Sequence, residues 1–491
     1  MARFSSLGLF AWAVAYSVLG LTGLAAAVSN ATETCELIRV DISAASSVIY
    51  PIQVFSYLDN TAHWFISSNQ VASCVLKAGS AADVALALKI INATQTPFAV
   101  MSGGHASNPG FSSTAGIHIS LAGLNQIVLS DDGSTVEVGM GNHWTDVYSA
   151  LDGTGVNVVG GRVPGPGVGG FTLGGGYSWK TNQFGLTCDT VQRYTIVLPN
   201  GNITQASVTQ NPSLFFALKG GQNRFGIVTS MVLATHPQPA TIYGGMAVYP
   251  GSALPELLNA TNLFNARNTD DKAQIITTIE GSATGTSSIV LFFYDGPTKP
   301  AIFSLFDDII PLIWTVQSQS FYSFVQSIPA ELSTVRNIRG RFATFSTTGL
   351  TETFLQAIQA EAEDIGAVSA LHAGTTASYD IEPFTKYGRH ATDSAFPHDN
   401  SALPLNLYFG WALASEDDWW YARIHQSIKT LKAVALREGI YTSSIPVYPN
   451  YAITNTTATE LYGAKNAARL RSIRSEVDPT RVMDLAGGFA I

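Results

Sequence analysis

Apolar and polar positions alternate in short segments between about residues 66 and 236, with turn residues between the segments. One segment has helical spacing: Ser80 and Asp83 form a capping-box pattern ahead of recurring apolar residues, which predicts a helix over 81–92. Short apolar runs bounded by turn residues predict strands. These lie at 97–101, 116–121, 126–130 and 135–140, followed by a hairpin at 195–204.

The pattern changes after a proline-rich stretch at 236–239. The following residues are typical of an antiparallel sheet backed by helices, which predicts a second domain of the α+β type. Its expected strands include 273–279, 288–294 and 405–413, and its expected helices lie near 252–266 and 351–363. The last part of the chain predicts a helix over 416–437, a strand over 446–452 and a helix over 458–475.

Length and charge narrow the classes of protein that fit. The chain has 491 residues, enough for two or three domains. Only 12% of them are charged, the formal net charge is −9, and basic residues do not cluster. This composition argues against nucleic acid or an anionic membrane surface as a partner.

The first 27 residues differ from the rest of the chain. Arg3 precedes an apolar stretch over 7–24 and three alanines at 25–27, which predicts a secretory signal peptide over 1–27. A retained anchor helix is the alternative. The chain also has five Asn-x-Ser/Thr sequons, and we expect glycosylation at two or more of them. They lie at Asn30, Asn92, Asn202, Asn259 and Asn455.

Three cysteines fit an oxidising compartment. Cys35 and Cys74 can form a disulfide that ties the mature N-terminus to the first domain, which leaves Cys188 as a buried, inert thiol. No CxxC pair occurs, and no His, Asp or Glu spacing indicates a metal site.

Two glycine-containing segments carry the candidate chemistry. Gly103-Gly104-His105 follows an apolar run, and glycines at a strand end let backbone N–H groups approach an anion. The run 165–170 matches G-x-G-x-x-G, yet three further glycines at 174–176 follow it and make poor helix material. We therefore expect an irregular loop around a flat or extended ligand, and not a Rossmann turn.

Several motifs in order resemble one family. They are Ser102-Gly-Gly-His105, the run 161–177, Phe184-Gly-Leu-Thr-Cys-Asp189, the segment 214–228, Tyr448-Pro-Asn-Tyr451, Tyr462-Gly463 and Asp478-Pro479. This set resembles the berberine-bridge-enzyme branch of the vanillyl-alcohol-oxidase superfamily of FAD-linked oxidoreductases, over about residues 60–491. The resemblance implies an α+β fold with a two-lobed FAD-binding domain and an inserted substrate domain of antiparallel sheet plus helices. The implied bounds are 28–238 and 418–491 for the FAD-binding domain and 239–417 for the substrate domain.

The resemblance also assigns the FAD site. It implies that His105 bonds covalently to the flavin, and that the link is single because Val163 stands where many relatives have a second attachment cysteine. Met101 replaces a basic residue of relatives, so backbone amides are expected to bind the phosphates. Pro166 stands at the position that gates oxygen access in relatives, and because proline is neither small nor a bulky block, both oxidase and dehydrogenase behaviour stay open. The remaining implied FAD contacts are Ser102, Gly103, Gly104, Ala106, Ser107, Gly167, Gly169, Gly170, Gly174, Ile227, Val228 and Asn450.

Three residues are candidates for the proton chemistry of substrate oxidation. By resemblance Tyr448 faces the flavin as base or orienting phenol, and Tyr177 lines the active site; a hydrogen bond shared by the two phenols would lower one pKa. The alternative is that both tyrosines are only pocket walls. Glu382 lies where some relatives have an acid or amide, with a solvated surface carboxylate as the alternative. His390 and His398 are expected in a loop outside the catalytic set.

Together these features favour a secreted, monomeric FAD oxidase. It would remove hydride from an alcohol- or amine-bearing carbon of a small organic molecule, with O2 as acceptor. Oxidation of sugars or oligosaccharides, pericyclase-like catalysis with a structural FAD, and a non-catalytic flavin-binding glycoprotein are the alternatives. Low charge and rich aromatic content favour an apolar metabolite as substrate.

Overall fold

A computed structural model describes residues 30–329 and 337–491 of the chain. The predicted signal peptide over 1–27 therefore lies outside the described residues. Within them, none of the helices has the length and apolar character needed to cross a bilayer. None of their His, Cys, Asp and Glu side chains form a group of three or more that could hold a metal ion.

The α-helices of the described residues are distributed along the whole chain. They are α1 (30–41), α2 (Val54–Asp59), α3 (Ala81–Thr94), α4 (Trp144–Leu151), α5 (Val168–Leu173), α6 (Thr181–Phe184), α7 (Thr187–Thr190), α8 (Pro212–Leu218), α9 (Leu254–Arg267), α10 (Phe321–Ser327), α11 (Glu352–Ser369), α12 (Asp417–Arg437) and α13 (Ala458–Val477).

Two sheets and a short strand pair come from the first half of the chain. The first sheet has the order β1-β2-β4-β3 and contains β1 (Ser47–Ile49), β2 (Cys74–Lys77), β3 (Phe98–Met101) and β4 (Ile117–Ser120). Strands β2, β4 and β3 are parallel. The second sheet is antiparallel, has the order β5-β6-β10-β8-β9, and contains β5 (Ile127–Leu129), β6 (Thr135–Gly139), β8 (Val191–Val197), β9 (Ile203–Ser207) and β10 (Ile227–Ala234). The pair joins β7 (Val156–Asn157) to β11 (His236–Pro237).

A large antiparallel sheet follows. Its order is β15-β12-β14-β13-β18-β19-β17, with β16 paired to β12. Its strands are β12 (Ile242–Pro250), β13 (Ala273–Ser282), β14 (Gly285–Tyr294), β15 (Ile313–Trp314), β16 (Gln317–Gln319), β17 (Arg339–Thr347), β18 (Gly374–Ile381) and β19 (Leu403–Trp411). The α+β prediction, with helices behind an antiparallel sheet, is confirmed.

Local signals explain the elements that were predicted well. The Ser80 hydroxyl accepts a hydrogen bond from the Asp83 N–H at 3.1 Å, which caps α3. The Asp83 carboxylate also accepts hydrogen bonds from Ser43 and Ser46, so the cap attaches the preceding segment. A disulfide joins Cys35 of α1 to Cys74 of β2, as expected, and Cys188 is a buried free thiol.

Two local predictions were wrong. Residues 446–452 form no strand and contain a turn at 449–451, because Pro449 has no N–H for a sheet and the Tyr451 N–H closes onto the Tyr448 carbonyl. The glycine run is not irregular throughout, since α5 forms within it after Gly167 as N-cap. Gly174 caps the C-terminus of the helix, and Gly175 and Gly176 follow it with φ values of 114° and 93°, which favour glycine.

The predicted domain bounds stay a prediction, and packing bears on one of them. Trp420, Ile424 and Leu431 of α12 lie in the same hydrophobic core as residues of α11 and of the large sheet. This packing favours a substrate-domain boundary after α12, beyond the predicted residue 417.

Buried charged residues connect the first half of the chain to the large sheet, along a contact zone that we call the seam. Lys180 forms a buried ion pair with Asp295 at 2.9 Å, and Arg162 forms one with Glu382 at 2.8 Å. The Arg224 guanidinium donates hydrogen bonds to the carbonyls of Phe489 and Gly488, which brings the C-terminus to the same seam. The site described next lies along this seam.

Candidate active site

A cavity of about 510 Å³ lies between the glycine-bearing segments and the large sheet. Distant parts of the chain line it: the turn at 102–108, the run at 162–173, strands β13, β18 and β19, and the turn at 448–451. Its volume lies within the usual range of small-molecule and cofactor sites.

The Gly103-Gly104 turn places His105 at the wall of this cavity. Gly104 has φ 67°, and a Cβ at that position would lie 2.8 Å from the Ala62 carbonyl oxygen. A Cβ on Gly103 would lie 2.2 Å from the Gly167 nitrogen, so the turn and the glycine run touch through their backbones. The indole of Trp64 packs against the His105 imidazole, with ring centroids 4.6 Å apart.

The N-terminus of α5 faces the cavity with bare backbone. Ser102 Oγ accepts a hydrogen bond from the Gly169 N–H at 3.2 Å and donates one to the Met140 carbonyl. Gly170 lines the cavity, and a Cβ there would meet no atom within 4 Å. A flat group can therefore lie directly against this backbone.

The turn at 448–451 closes the same end of the cavity. Tyr448 Oη accepts hydrogen bonds from the Gly176 N–H at 3.1 Å and from Asn450 Nδ2 at 2.9 Å. Asn450 Nδ2 also donates to the Phe171 carbonyl, and the side chain occupies the space that a Cβ on Gly174 would need. Asn450 and Tyr448 are thus held as one rigid unit against the glycine run.

The predicted hydrogen bond between two phenols is absent at Tyr177. Its ring packs edge-on against Tyr448 at 4.8 Å, but its hydroxyl is hydrogen-bonded to Tyr387 at 2.5 Å. Burial raises the pKa of Tyr448 to about 12, although hydrogen bonds and Arg162 counteract the rise. Burial also raises the pKa of Tyr177. The expected lowering of one phenol pKa was therefore wrong.

The large sheet presents polar groups to the cavity at alternate positions of neighbouring strands. Strand β13 contributes Thr278 and Glu280, and β18 contributes Ser378 and Asp380. Thr278 lies directly opposite Asp380 in the sheet, and Asp380 lies directly opposite Asn406 of β19. Residues two apart on a strand share a face, so these groups form one polar patch.

Asp380 is the carboxyl at the centre of this patch. Its Oδ1 accepts a hydrogen bond from Thr278 Oγ1 and its Oδ2 accepts one from Asn406 Nδ2, each at 2.8 Å. Burial raises the pKa of Asp380 to about 6, and the nearby Glu382 carboxylate adds to the rise. A carboxyl with a pKa near neutrality can exchange a proton under physiological conditions.

Glu382 lines the cavity and is buried, so it is not the solvated surface carboxylate of the alternative interpretation. Its carboxylate receives two hydrogen bonds from the Arg162 guanidinium, at 2.8 and 3.0 Å, and a third from Tyr451 Oη at 3.1 Å. Glu382 and Arg162 are both buried. The carboxylate is therefore held by three hydrogen bonds, and it links the sheet to the turn at 448–451.

The predicted site residues come together almost completely. All the predicted cofactor and catalytic positions line this cavity except Gly174, which lies under Asn450, and Tyr177, which lies behind Tyr448. His398 is outside it, in a loop where its imidazole pairs with Asp189 at 2.7 Å.

Sequence reasoning missed several residues that line the cavity. They are Trp64, Arg162, Glu280, Phe342, Asp380, Asn406 and Tyr408. A usable signal existed for Asp380 and Glu280: polar residues alternate with apolar ones along 278–280 and 376–382, which indicates one polar strand face.

Comparison with known sequences gives a consistent result. Residues 72–207 match the family described as FAD binding domain. An uncharacterized FAD-linked oxidoreductase of Arthroderma benhamiae is 38% identical, in a match that covers 51% of this chain and about half, 51%, of that relative. The FAD-dependent monooxygenase FUP4 of Fusarium proliferatum is 32% identical over 83% of this chain and 82% of its own length.

Solved structures share the fold at low identity. A 6-hydroxy-D-nicotine oxidase from Arthrobacter nicotinovorans is 21% identical and superposes with a TM-score of 0.76, covering 91% of this chain and 98% of that one. A glucooligosaccharide oxidase from Acremonium strictum, described with 6-S-cysteinyl, 8α-N1-histidyl FAD, is 17% identical with a TM-score of 0.76, covering 91% of this chain and 97% of its own.

Proposed function

This chain belongs to the family of FAD-linked oxidoreductases that includes the fungal FAD-dependent monooxygenases, and on that premise we propose that it oxidises a small organic molecule. In this proposal, hydride leaves a carbon that bears a hydroxyl or amine group, and O2 is the final acceptor. One observation carries the proposal: the residues that a covalent flavin site requires come from three distant segments and line one cavity.

The cavity fits FAD at its glycine-bearing wall. Backbone atoms of Gly103, Gly167 and Gly170 form a surface without side chains, and substituting a Cβ at the first two would collide with backbone. His105 adjoins this wall and is the candidate for the covalent bond. Because none of the described lysines lines the cavity and Arg162 is engaged with Glu382, backbone N–H groups are the candidate phosphate ligands.

When bound, the flavin supplies a two-electron acceptor for hydride. The chain must then accept the proton of the substrate hydroxyl or amine. Asp380 is our candidate base, because its pKa near 6 leaves it largely ionised at neutral pH while it still binds a proton readily. Tyr448, whose pKa is near 12, remains protonated and orients the substrate.

We also propose that the protein is secreted and glycosylated. The Cys35–Cys74 disulfide fits an oxidising compartment. The asparagines of three sequons, Asn202, Asn259 and Asn455, are exposed and therefore accessible to a glycan.

Acid precipitation of the purified protein tests the flavin link. We expect yellow colour to stay in the pellet and flavin mass to be added to the peptide that contains His105. A His105→Ala variant should release its flavin into the supernatant. A colourless wild-type pellet with an unmodified His105 peptide would overturn the covalent assignment.

A second experiment tests the reaction. Candidate alcohols and amines are added to the protein without oxygen, and loss of flavin absorbance is followed. We expect bleaching by a substrate, and recovery of colour with formation of H2O2 when O2 is admitted. Conversion of a substrate with neither bleaching nor O2 uptake would instead indicate catalysis with a structural flavin.

A further inference from the structure

The polar patch on the large sheet contains more hydrogen-bond acceptors than donors. Asn406 is only 4% exposed and lines the cavity, yet among the described residues its Oδ1 has no hydrogen-bond partner. The amide orientation is fixed, because Nδ2 donates to the Asp380 carboxylate. An orphan acceptor in a buried site implies that a ligand donor belongs there.

Glu280 adds a second acceptor with spare capacity. Its Oε1 accepts a hydrogen bond from Thr376 Oγ1 at 3.0 Å, and its side chain lines the cavity. Burial raises the pKa of Glu280, and within the described part of the chain no charged neighbour offsets the cost of burying the carboxylate. Ser378 lies opposite Glu280 and two residues from Asp380, so the two carboxyls occupy diagonal positions on adjacent strands.

The charge of the cavity is also unbalanced. Of the described residues that line it, Arg162, Glu280, Asp380 and Glu382 carry formal charges, besides the histidine at 105. Arg162 and Glu382 neutralise each other through paired hydrogen bonds. Among these lining residues, Glu280 and Asp380 therefore have no ion-pair partner of their own, although Arg162 lies near enough to lower the pKa of Asp380. Both carboxyls lie on the same polar patch as the orphan oxygen of Asn406.

The patch has an apolar border. Ile276 of β13, Ile289 and Leu291 of β14 and Met246 of β12 line the cavity on one side of it. A ligand that satisfies the whole wall must combine an apolar body with a group that donates hydrogen bonds and carries positive charge. A neutral ligand would leave both carboxyls uncompensated.

We propose that Glu280, Asp380 and Asn406 form a subsite for an ammonium group, so that the substrate is an apolar amine bound in its protonated form. Glu280 and Asn406 Oδ1 hold the cationic nitrogen, and Asp380 lies beside it. This inference rests on the proposed function, because it narrows the substrate of that same cavity to amines.

Binding of two matched probes to the flavin-loaded protein tests the subsite. N-methylbenzylamine is protonated at neutral pH, and benzyl methyl ether has the same shape with oxygen in place of the NH2+ group. Calorimetric titration without oxygen, which prevents re-oxidation of the flavin and therefore repeated turnover, gives both dissociation constants. We expect the amine to bind about tenfold or more tightly than the ether, as charged hydrogen bonds warrant.

A Glu280→Gln variant should reduce this preference about tenfold by weakening amine binding alone. Glu363→Gln, at an exposed position on α11, is the matched control and should leave the preference unchanged. Equal binding of amine and ether by the unmodified protein, or no binding of the amine at millimolar concentration, overturns the subsite whether or not the variant folds. An unchanged preference in a folded E280Q protein also overturns it.

The experiments distinguish an error in the ammonium subsite from an error in the proposed function. A yellow pellet and substrate-dependent bleaching together with equal probe binding would refute only the ammonium subsite. A colourless protein that still prefers the amine would refute only the flavin chemistry.

Discussion

Replacing Asp380 by Asn should slow oxidation and stabilise the fold at the same time. The carboxyl has a pKa near 6 in the folded chain against an ordinary value of 3.8. The unfolded state therefore releases this proton more readily, so ionisation of Asp380 opposes folding. The penalty is absent below pH 4, grows between pH 4 and 6, and is complete above pH 6.

The size of the penalty follows from the two pKa values. The two pKa values lie about two pH units apart, and each unit corresponds to 1.36 kcal/mol. Ionisation of Asp380 therefore lowers the free energy of unfolding by at most about 3 kcal/mol at neutral pH. Asn cannot ionise and keeps a similar shape. We therefore expect D380N to melt a few degrees higher than wild type at pH 7.5, and this advantage should disappear near pH 4.

Although D380N should be more stable than wild type, it should react more slowly with substrate. A positioned base contributes about 10² to 10⁴ in rate, so anaerobic bleaching of D380N by a substrate should be slower by that factor. In wild type the bleaching rate should fall about tenfold per pH unit below pH 6, because the protonated carboxyl cannot accept a proton. D380N should lack this acidic limb.

Thr278→Val is the matched control for this pair of effects. It keeps the carboxyl but removes the hydrogen bond from Thr278. In the wild-type protein this hydrogen bond lowers the pKa of Asp380, so its loss should raise that pKa. The acidic limb should then move to higher pH while the rate at high pH is largely retained. A D380N protein that bleaches at nearly the wild-type rate, or that melts lower at pH 7.5, would refute the reasoning.

Three further predictions follow from local geometry. Arg162→Gln should destabilise the protein by about 3 to 5 kcal/mol in thermal or denaturant unfolding, since it leaves the buried Glu382 carboxylate without its partner; the R162Q/E382Q double variant should recover part of the loss. Gly104→Ala should reduce flavin retention in the acid-precipitation assay because its Cβ meets the Ala62 carbonyl, whereas Gly133→Ala, with φ 68° and open space around it, should not. Joint replacement of Cys35 and Cys74 by Ser should lower stability by about 4 kcal/mol for a loop of this length, without changing the spectrum of the bound flavin.

The sequence predicted those parts of the site that depend on neighbouring residues. The turn before His105 needs glycine for its positive φ, and α3 needs the Ser80 cap; both signals lie within a few positions of the feature they create. Such local signals place a strand end, a turn or a helix start.

Contacts between distant segments account for what was missed. The environment of Glu382 depends on Arg162, 220 positions earlier in the chain, and Tyr177 pairs with Tyr387, 210 positions later. The segment 448–451 was predicted as a strand although Pro449 is a local signal against one. Its position in the site depends on a distant contact, because Tyr448 Oη accepts the Gly176 N–H, 272 positions earlier in the chain. No local pattern carries that information.

One wall of the cavity consists of backbone and the other of side chains, and this difference affects how substrate specificity can change. The wall proposed to bind the flavin is backbone held by glycine-to-glycine contacts, so side-chain substitution there disturbs the fold itself. The opposite wall consists of alternate side chains on β13, β18 and β19, each fixed by neighbouring strands on both sides. Exchanging Glu280 or Ile276 changes what the cavity accepts while the hydrogen-bonded ladder beneath remains intact. Substrate preference can therefore change by single substitutions on the sheet without loss of the cofactor site, which explains how one fold can hold similar flavin chemistry against different small molecules.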